Sequence, residues 1–154
     1  MPNWCDGEMT ITGSIPHILD FLHESITKSN APDVSVNEYK DIIHEPGKIT
    51  LSIPGNNLFW FVGTRRNFVD YKEIVVEYEV GKEDLPIHSF TIPITSAWDN
   101  DHEVFEEFAR KFNISIYSVS EEPGQGFQCT MHFDPFKDEF WHDHENLYDD
   151  IMSG

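Results

Sequence analysis

Two segments, ISIYSVS (Ile114–Ser120) and FQCTMHF (Phe127–Phe133), stand on either side of the turn sequence EEPGQG. Both read as half-buried strands, and a connection this short between strands permits antiparallel pairing alone. The same grammar recurs upstream. YKEIVVEYEV (Tyr71–Val80), rich in β-branched residues, is followed by GKEDLP and then by IHSFTIPIT (Ile87–Thr95). Pro93 places that end of its strand at an edge or a bulge. A chain written this way is committed to a sheet built mostly from hairpins.

Two helices punctuate the strands. After EMTIT (Glu8–Thr12) and Gly13, Ser14 has the side chain of an N-cap. Pro16 falls in the first turn, where its missing N–H needs no partner. Ile15, Ile18, Leu19, Leu22 and Ile26 follow at helical spacing. A second helix is expected over 100–112, capped by Asp99 and ended by Asn113. Its apolar stripe is Val104, Phe105, Phe108, Ala109 and Phe112. Glu103, Glu106 and Glu107 lie opposite, with Glu106–Arg110 and Glu107–Lys111 as i,i+4 pairs. In between, KITLSIP (Lys48–Pro54) is a strand, NNLFWFVG (56–63) a strand or a buried loop, and Val34–His44 an insertion with one short helix at most. The succession argues for an α+β, ferredoxin-like domain over residues 1–133, a mostly antiparallel sheet with two helices on one face. Residues 134–154 stand apart in composition as an acidic C-terminal tail.

At 154 residues the chain suits one domain and needs no disulfide or metal to hold a core. Its aromatic content of 14% excludes a disordered polymer. Charge is its unusual property. Twenty-eight acidic residues face ten basic ones, for a net charge of −18, where solubility of a small domain needs about 2–8 charges. Nucleic acid and anionic membranes are thereby disfavoured as direct partners, and basic proteins are favoured. Cys5 and Cys129 lie far apart with no CxxC, the usage of free thiols in a reducing compartment. MPNWCDGEMTITG has neither the basic region nor the apolar core of a signal peptide, and no apolar run has transmembrane length. A cytoplasmic location is the expectation.

The opening MPNWC, followed by MTITG, resembles the start of the YubB-like proteins of phages and plasmids. A second similarity lies at Ala97-Trp98, and a third at Glu121-Glu122-Pro123-Gly124 with Gly126-Phe127. Their order and spacing match over roughly residues 1–133. The chain departs from that pattern at Gly7, where Asn is common, at acidic Asp99-Asn100-Asp101, and at Gln128 and Cys129. The resemblance implies a ferredoxin-like domain and a mobile-element setting, and it implies no particular chemistry.

Residues with possible chemistry are few. His142 and His144, with Asp138, Glu139, Asp143 and Glu145 nearby, carry donors that zinc or nickel accepts. On a helix, i and i+2 do not share a face. On a strand they would, but this stretch lacks a strand pattern, so no metal site is expected. His17, His23, His44, His88, His102 and His132 show no triad spacing. Cys5 reads as a small buried hydrophobe. Arg65-Arg66 lacks the glycines of a phosphate loop and reads as an anchor. Trp60 and Trp98 read as core aromatics, and Glu121-Glu122 as part of a turn. No catalytic residue and no cofactor follow.

The tail is different. Residues 134–154 hold seven acids, one lysine and the aromatics Phe136, Phe140, Trp141 and Tyr148, whereas a purely solvating tail has few aromatics. If Lys137–Ile151 is helical, Phe140, Trp141, Leu147, Tyr148 and Ile151 gather on one broad face. Asp138, Glu139, Asp143, Glu145, Asp149 and Asp150 then surround it. Acids at i,i+4 stand about 6 Å apart along a helix, against one phosphate per ~3.4 Å of each DNA strand, so two such helices approach a DNA-like field. A solvated acidic face is the plain alternative. The expectation is a non-enzymatic protein that binds and blocks a basic, nucleic-acid-binding host defence protein, such as a restriction or CRISPR effector. Its contacts would be Glu103, Glu106 and Glu107 together with the tail acids, Phe140, Trp141 and Tyr148. The alternatives are an accessory interaction module with no inhibitory role, and an enzyme whose Cys/His site assembles in space.

Overall fold

Burial alternates residue by residue along the long strands, and this parity organises the molecule. The computed structural model describes residues 4–28, 41–52, 59–64, 67–69, 73–97, 101–124 and 126–146. In chain order the elements are β1 (Trp4–Gly13), α1 (Ile15–Ser25), β2 (Ile26–Lys28), β3 (Asp41–Glu45), β4 (Lys48–Ser52), β5 (Phe59–Phe61), β6 (Asn67–Val69), β7 (Glu73–Glu77), β8 (His88–Ala97), α2 (His102–Phe112), β9 (Ser115–Glu122), β10 (Phe127–Asp134) and β11 (Glu139–Asn146). Eight strands form one sheet in the order β11-β10-β9-β1-β8-β6-β5-β2, and β3-β4-β7 form a smaller one. Every strand pairing among the described residues is antiparallel. The chain is thus an α+β protein, with two helices and a mostly antiparallel sheet among the described residues.

One face of the large sheet carries the core. Met9 and Ile11 of β1, Ile92 and Ile94 of β8, Ile116 of β9, and Met131 and Phe133 of β10 are buried with Ile18, Phe21 and Leu22 of α1 and Phe105, Ala109 and Phe112 of α2. Ile49, Leu51, Ile74 and Val76 of the smaller sheet join the same cluster. Phe21 sits at its centre, meeting the rings of Phe108 and Phe112 edge-on at 5.9 Å each. Burying a side chain of this size stabilises by about 1.5–3 kcal/mol, so this aromatic cluster is a principal tie between the helices.

The helix ends follow local chemistry. Ser14 has extended backbone angles, and its Oγ accepts the His17 N–H at 3.4 Å. Asn113 takes the left-handed conformation and closes α2 through its N–H to the Ala109 carbonyl. Asp101 stands at the N-cap of α2. Its carboxylate accepts from the Asn67 side chain at 2.8 Å and does not cap the helix; Asp99 lies outside the described residues. Glu106 does meet Arg110, at 3.4 Å, but Lys111 reaches across to Glu24 of α1, at 3.6 Å, not back to Glu107.

Two further sequence expectations are corrected. Pro93 lies in a central strand, opposite Glu8 of β1. It falls one residue beyond the last described β6–β8 pair, Val69 with Ile94, the kind of place where a strand proline is tolerated. The larger correction concerns the tail. Residues 139–146 are not a helix but β11, paired without a break to β10 from Asp134–Glu139 to Phe127–Asn146. A tight turn delivers it, with Asp134 Oδ1 accepting the Phe136 N–H at 2.9 Å and Asp138 at φ 54°. Unpaired β10 backbone groups and cross-strand aromatic partners outweigh the helical spacing of the apolar residues.

Close approach of β1 and β9 depends on Gly7. A Cβ there would stand 2.0 Å from the Val119 carbonyl oxygen and 2.5 Å from Ser120 Cα. Gly7→Ala is therefore expected to lower unfolding stability by about 1–3 kcal/mol, read as a fall in urea midpoint. A second expectation concerns the turn before β8, where the Gly81 N–H donates to both Glu83 carboxylate oxygens, at 2.9 and 3.0 Å. Those backbone hydrogen bonds hold the Glu83 carboxyl below the usual range. A depressed folded-state value stabilises above the ordinary glutamate range and loses that contribution as pH falls through it. Glu83→Gln should flatten the acid limb of the stability–pH curve slightly, because the carboxylate lies near the surface, where solvent screens it.

Candidate interaction face of the sheet

The sheet face turned away from the helices is unroofed among the described residues, and strand parity decides what stands on it. Asp6, Glu8, Thr10 and Thr12 of β1 point there, as do Thr91 and Thr95 of β8, Tyr117, Val119 and Glu121 of β9, Gln128, Thr130, His132 and Asp134 of β10, and Glu139, Trp141, Asp143 and Glu145 of β11. The registers arrange them in rows. One row runs Thr95, Asp6, Glu121, Gln128, Glu145; the next runs Glu8, Val119, Thr130, Asp143. A third, Thr10, Tyr117, His132, Trp141, is aromatic, and beyond it Asp134 faces Glu139.

Hydrogen bonds and ring contacts stitch this surface together. Thr95 Oγ1 donates to Asp6 Oδ1 at 2.9 Å, and the Thr10 and Thr91 hydroxyls lie 2.8 Å apart. His132 stacks on Trp141, centroids 5.4 Å apart and planes 11° from parallel, and meets Tyr117 edge-on at 6.0 Å. His132 Nε2 is 3.0 Å from Glu139 Oε2. Tyr117 and Trp141 are nevertheless 47% and 48% exposed. A recess of about 310 Å³ opens between β1 and β9, lined by Asp6, Glu8, Tyr117 and Glu121 among others. At the far corner Trp4, Phe68 and Trp60 form a second aromatic group, with Phe68 5.9 Å from Trp4 and 4.6 Å from Trp60.

The electrostatics are lopsided. None of the described strand residues on this face is lysine or arginine. Asp6 stands directly opposite Glu121, and Asp134 directly opposite Glu139. Like charges directly opposite destabilise an antiparallel pair. The face thus breaks a local rule of sheet design twice, and such breaks concentrate at functional positions.

The residues expected from sequence divide accordingly. Glu139, Trp141, Asp143 and Glu145 belong to this face. Phe140 does not. Its ring turns to the helix side, packs against Phe133, and lies 3.6 Å under the Arg110 guanidinium, so it ties β11 to α2 and is no exposed anchor. Asp138 is in the turn. Glu103, Glu106 and Glu107 ride on α2, on the opposite side of the sheet, so the two acidic surfaces do not act as one. Tyr148, Asp149 and Asp150 lie outside the described residues. Asp6, Glu8, Tyr117 and His132 were not singled out as contacts from the sequence, and Glu121, read there as part of a turn, lies in β9 opposite Asp6. Their signal was the polar phase of the alternating strands, which carries carboxylates where threonine or serine would suffice.

The histidines need restating as well. Because β11 is a strand, His142 and His144 do share a side, the helix side. His142 stacks on His102 at 3.7 Å. His144 stacks on Phe127 at 4.6 Å and brings Nδ1 to 3.6 Å from Cys129 Sγ. Among the described residues no three His, Cys, Asp or Glu side chains converge as metal ligands. Cys5 and Cys129 are buried, as expected of small hydrophobic side chains. Glu122 accepts the Gly124 N–H at 3.0 Å, the turn role its sequence suggests. No helix of the described residues is long and apolar enough to cross a membrane.

If the open face holds charge against its own stability, relieving it should stabilise the fold. Glu121→Gln is expected to raise unfolding stability by about 0.2–1 kcal/mol in low salt, with the gain shrinking as salt screens the wild-type repulsion. Urea titrations at two ionic strengths give the answer, and a destabilised variant would contradict it. Comparison with family models, curated proteins and solved structures gives no match, so what this face does is argued from its own residues.

Proposed function

We propose that this chain is a non-enzymatic interaction protein whose open sheet face captures a basic surface of another protein. The observation that carries the reading is the pairing of carboxylates directly opposite one another, Asp6 with Glu121 and Asp134 with Glu139, on an unroofed face free of lysine and arginine among the described strand residues. Neighbouring strands lie about 4.8 Å apart and alternate residues about 7 Å apart along a strand. The face therefore offers a two-dimensional carboxylate grid that a single helix edge lacks. Lysine and arginine side chains of the partner would meet these carboxylates, while Tyr117 and Trp141 supply cation–π contact and buried area. Summed negative potential would steer the encounter and raise the association rate.

The finer reading is a ferredoxin-like domain from a phage or plasmid that blocks a nucleic-acid-binding host defence protein in the bacterial cytoplasm. The strand order β9-β1-β8-β6, with α1 following β1 and α2 following β8, supports the fold assignment. The stretches resembling YubB-like proteins also meet at one end of the sheet, Trp4 opposite Ala97, Asp6 opposite Glu121, Phe127 opposite Glu122. A basic nucleic-acid channel is the host surface whose charge complements this face best. The aromatic corner of Trp4, Phe68 and Trp60 favours a second reading, an accessory assembly module whose binding persists in high salt.

The test is capture of basic nucleic-acid-binding host proteins at low and high salt by the native chain and by the combined variant Asp6→Asn, Glu121→Gln, Glu139→Gln, Asp143→Asn. That variant is expected to lose about tenfold or more in association rate and most of its salt dependence. Glu103→Gln with Glu107→Gln, on the opposite side, should bind as the native chain does. Equal binding by the face variant, or loss by the helix variant alone, would reject the open face as the site.

A further inference from the structure

Among the described residues, the strand that ends the large sheet is an edge of a particular kind. β11 is eight residues long, ends the sheet among the described residues, and keeps unbroken register with β10. Exposed sheet edges are usually blunted by proline, charged side chains, a bulge, short length or a covering loop, and the charges on β11 are all acidic, so they repel an acidic strand and not a basic one. Glu139–Asn146 contains no proline, lysine or arginine, and its pairing shows no bulge. Along it the open-face positions read Glu139, Trp141, Asp143, Glu145. Its inner side is held firmly, by the β10 ladder, by Arg110 over Phe140, and by His142 on His102. A rigid, extended, acidic edge is therefore presented next to the acidic face.

We infer that β11 takes an extended basic segment of the partner protein as an added strand. The inference rests on the reading of the open face above and names what the partner must offer. Side chains directly opposite in an antiparallel pair point to the same side and stand about 4.5–5.5 Å apart. Lysine or arginine at every second position of the incoming strand would thus stand beside Glu139, Asp143 and Glu145, with one aliphatic stem over Trp141. Main-chain hydrogen bonds supply affinity in this mode, and alternate side chains supply specificity. A second copy of the chain is a poor occupant. Twofold pairing of β11 with itself that keeps both open faces on one side, centred on His142, sets Glu139 of one copy against Glu145 of the other. That is the like-charge arrangement that opposes pairing.

The experiment uses the full chain and four synthetic eight-residue peptides at low salt, with cytochrome c as a folded basic protein control. The peptides are alternating Lys and Thr, the same composition with the lysines in one block, and two alternating versions N-methylated on the Lys amides or on the Thr amides. In a strand, successive N–H groups point to opposite edges, so one methylation pattern blocks pairing and the other spares it. The alternating peptide should bind best. One methylated form should lose about tenfold or more in affinity through its missing hydrogen bonds, the other should lose little, and backbone amide shifts should centre on Glu139–Asp143. Equal affinity for all four peptides overturns strand addition and leaves cation capture by the face standing. Binding of cytochrome c with no binding of any peptide does the same. Failure of every basic ligand at low salt removes both. A dimer by sedimentation that dissociates on Glu139→Lys assigns the edge to a second copy and overturns the basic strand as its occupant.

Discussion

Strand parity is the constraint on which the rest of this structure depends. β1 carries Met9 and Ile11 on one side and Asp6, Glu8 and Thr10 on the other, and its neighbours repeat the division in register. A slip of one residue would move carboxylates into the core and apolar side chains into water. The aromatic cluster around Phe21 fixes which side is the core, since it can be buried only where both helices lie. The acidic face is then the geometric complement of the core. Apart from Asp134, which makes the β10–β11 turn, its composition is not demanded by folding, because uncharged polar residues would serve solvent equally well without the repulsion between Asp6 and Glu121.

Much of this frame could be read from the chain itself. Ser14, Gly13 and Pro16 announce α1, Asn113 ends α2, and EEPGQG joins β9 to β10, because each of these rests on local backbone chemistry that tertiary packing does not overrule. The candidate surface was legible only in part. Glu139, Trp141, Asp143 and Glu145 attracted notice for composition, yet their common side depends on β11 being a strand. That in turn depends on β10 offering an unsatisfied edge and on Asp134 and Asp138 making the turn, a relation between segments that no window of sequence contains. Phe140 and Trp141 look alike as neighbouring aromatics. Parity sends one under Arg110 and the other into solvent.

The same parity explains why the acids of α2 and those of β11 do not form one surface. A helix lying on a sheet turns its polar side outward from the assembly, while the sheet's polar side faces the other way. Charge density in a two-layer protein is therefore divided between opposite poles, and a partner meets one of them. On the sheet side a paired backbone fixes where the carboxylates stand, while the rotamers of the exposed glutamates would still have to be ordered in a contact. Preorganisation of that sort raises affinity by lowering the entropic cost of association.

The position of β1 in the strand order carries a last consequence. Both of its hydrogen-bonded neighbours, β8 and β9, lie late in the chain, beyond the smaller sheet and the first helix. During synthesis β1 and α1 emerge from the ribosome with no partner on either flank. Closure of the central ladder waits until β9, which ends at Glu122, has been translated. Long-range pairing of this kind slows folding and leaves apolar strand surface uncovered on the nascent chain. The surplus of carboxylates adds electrostatic repulsion between chains in that state.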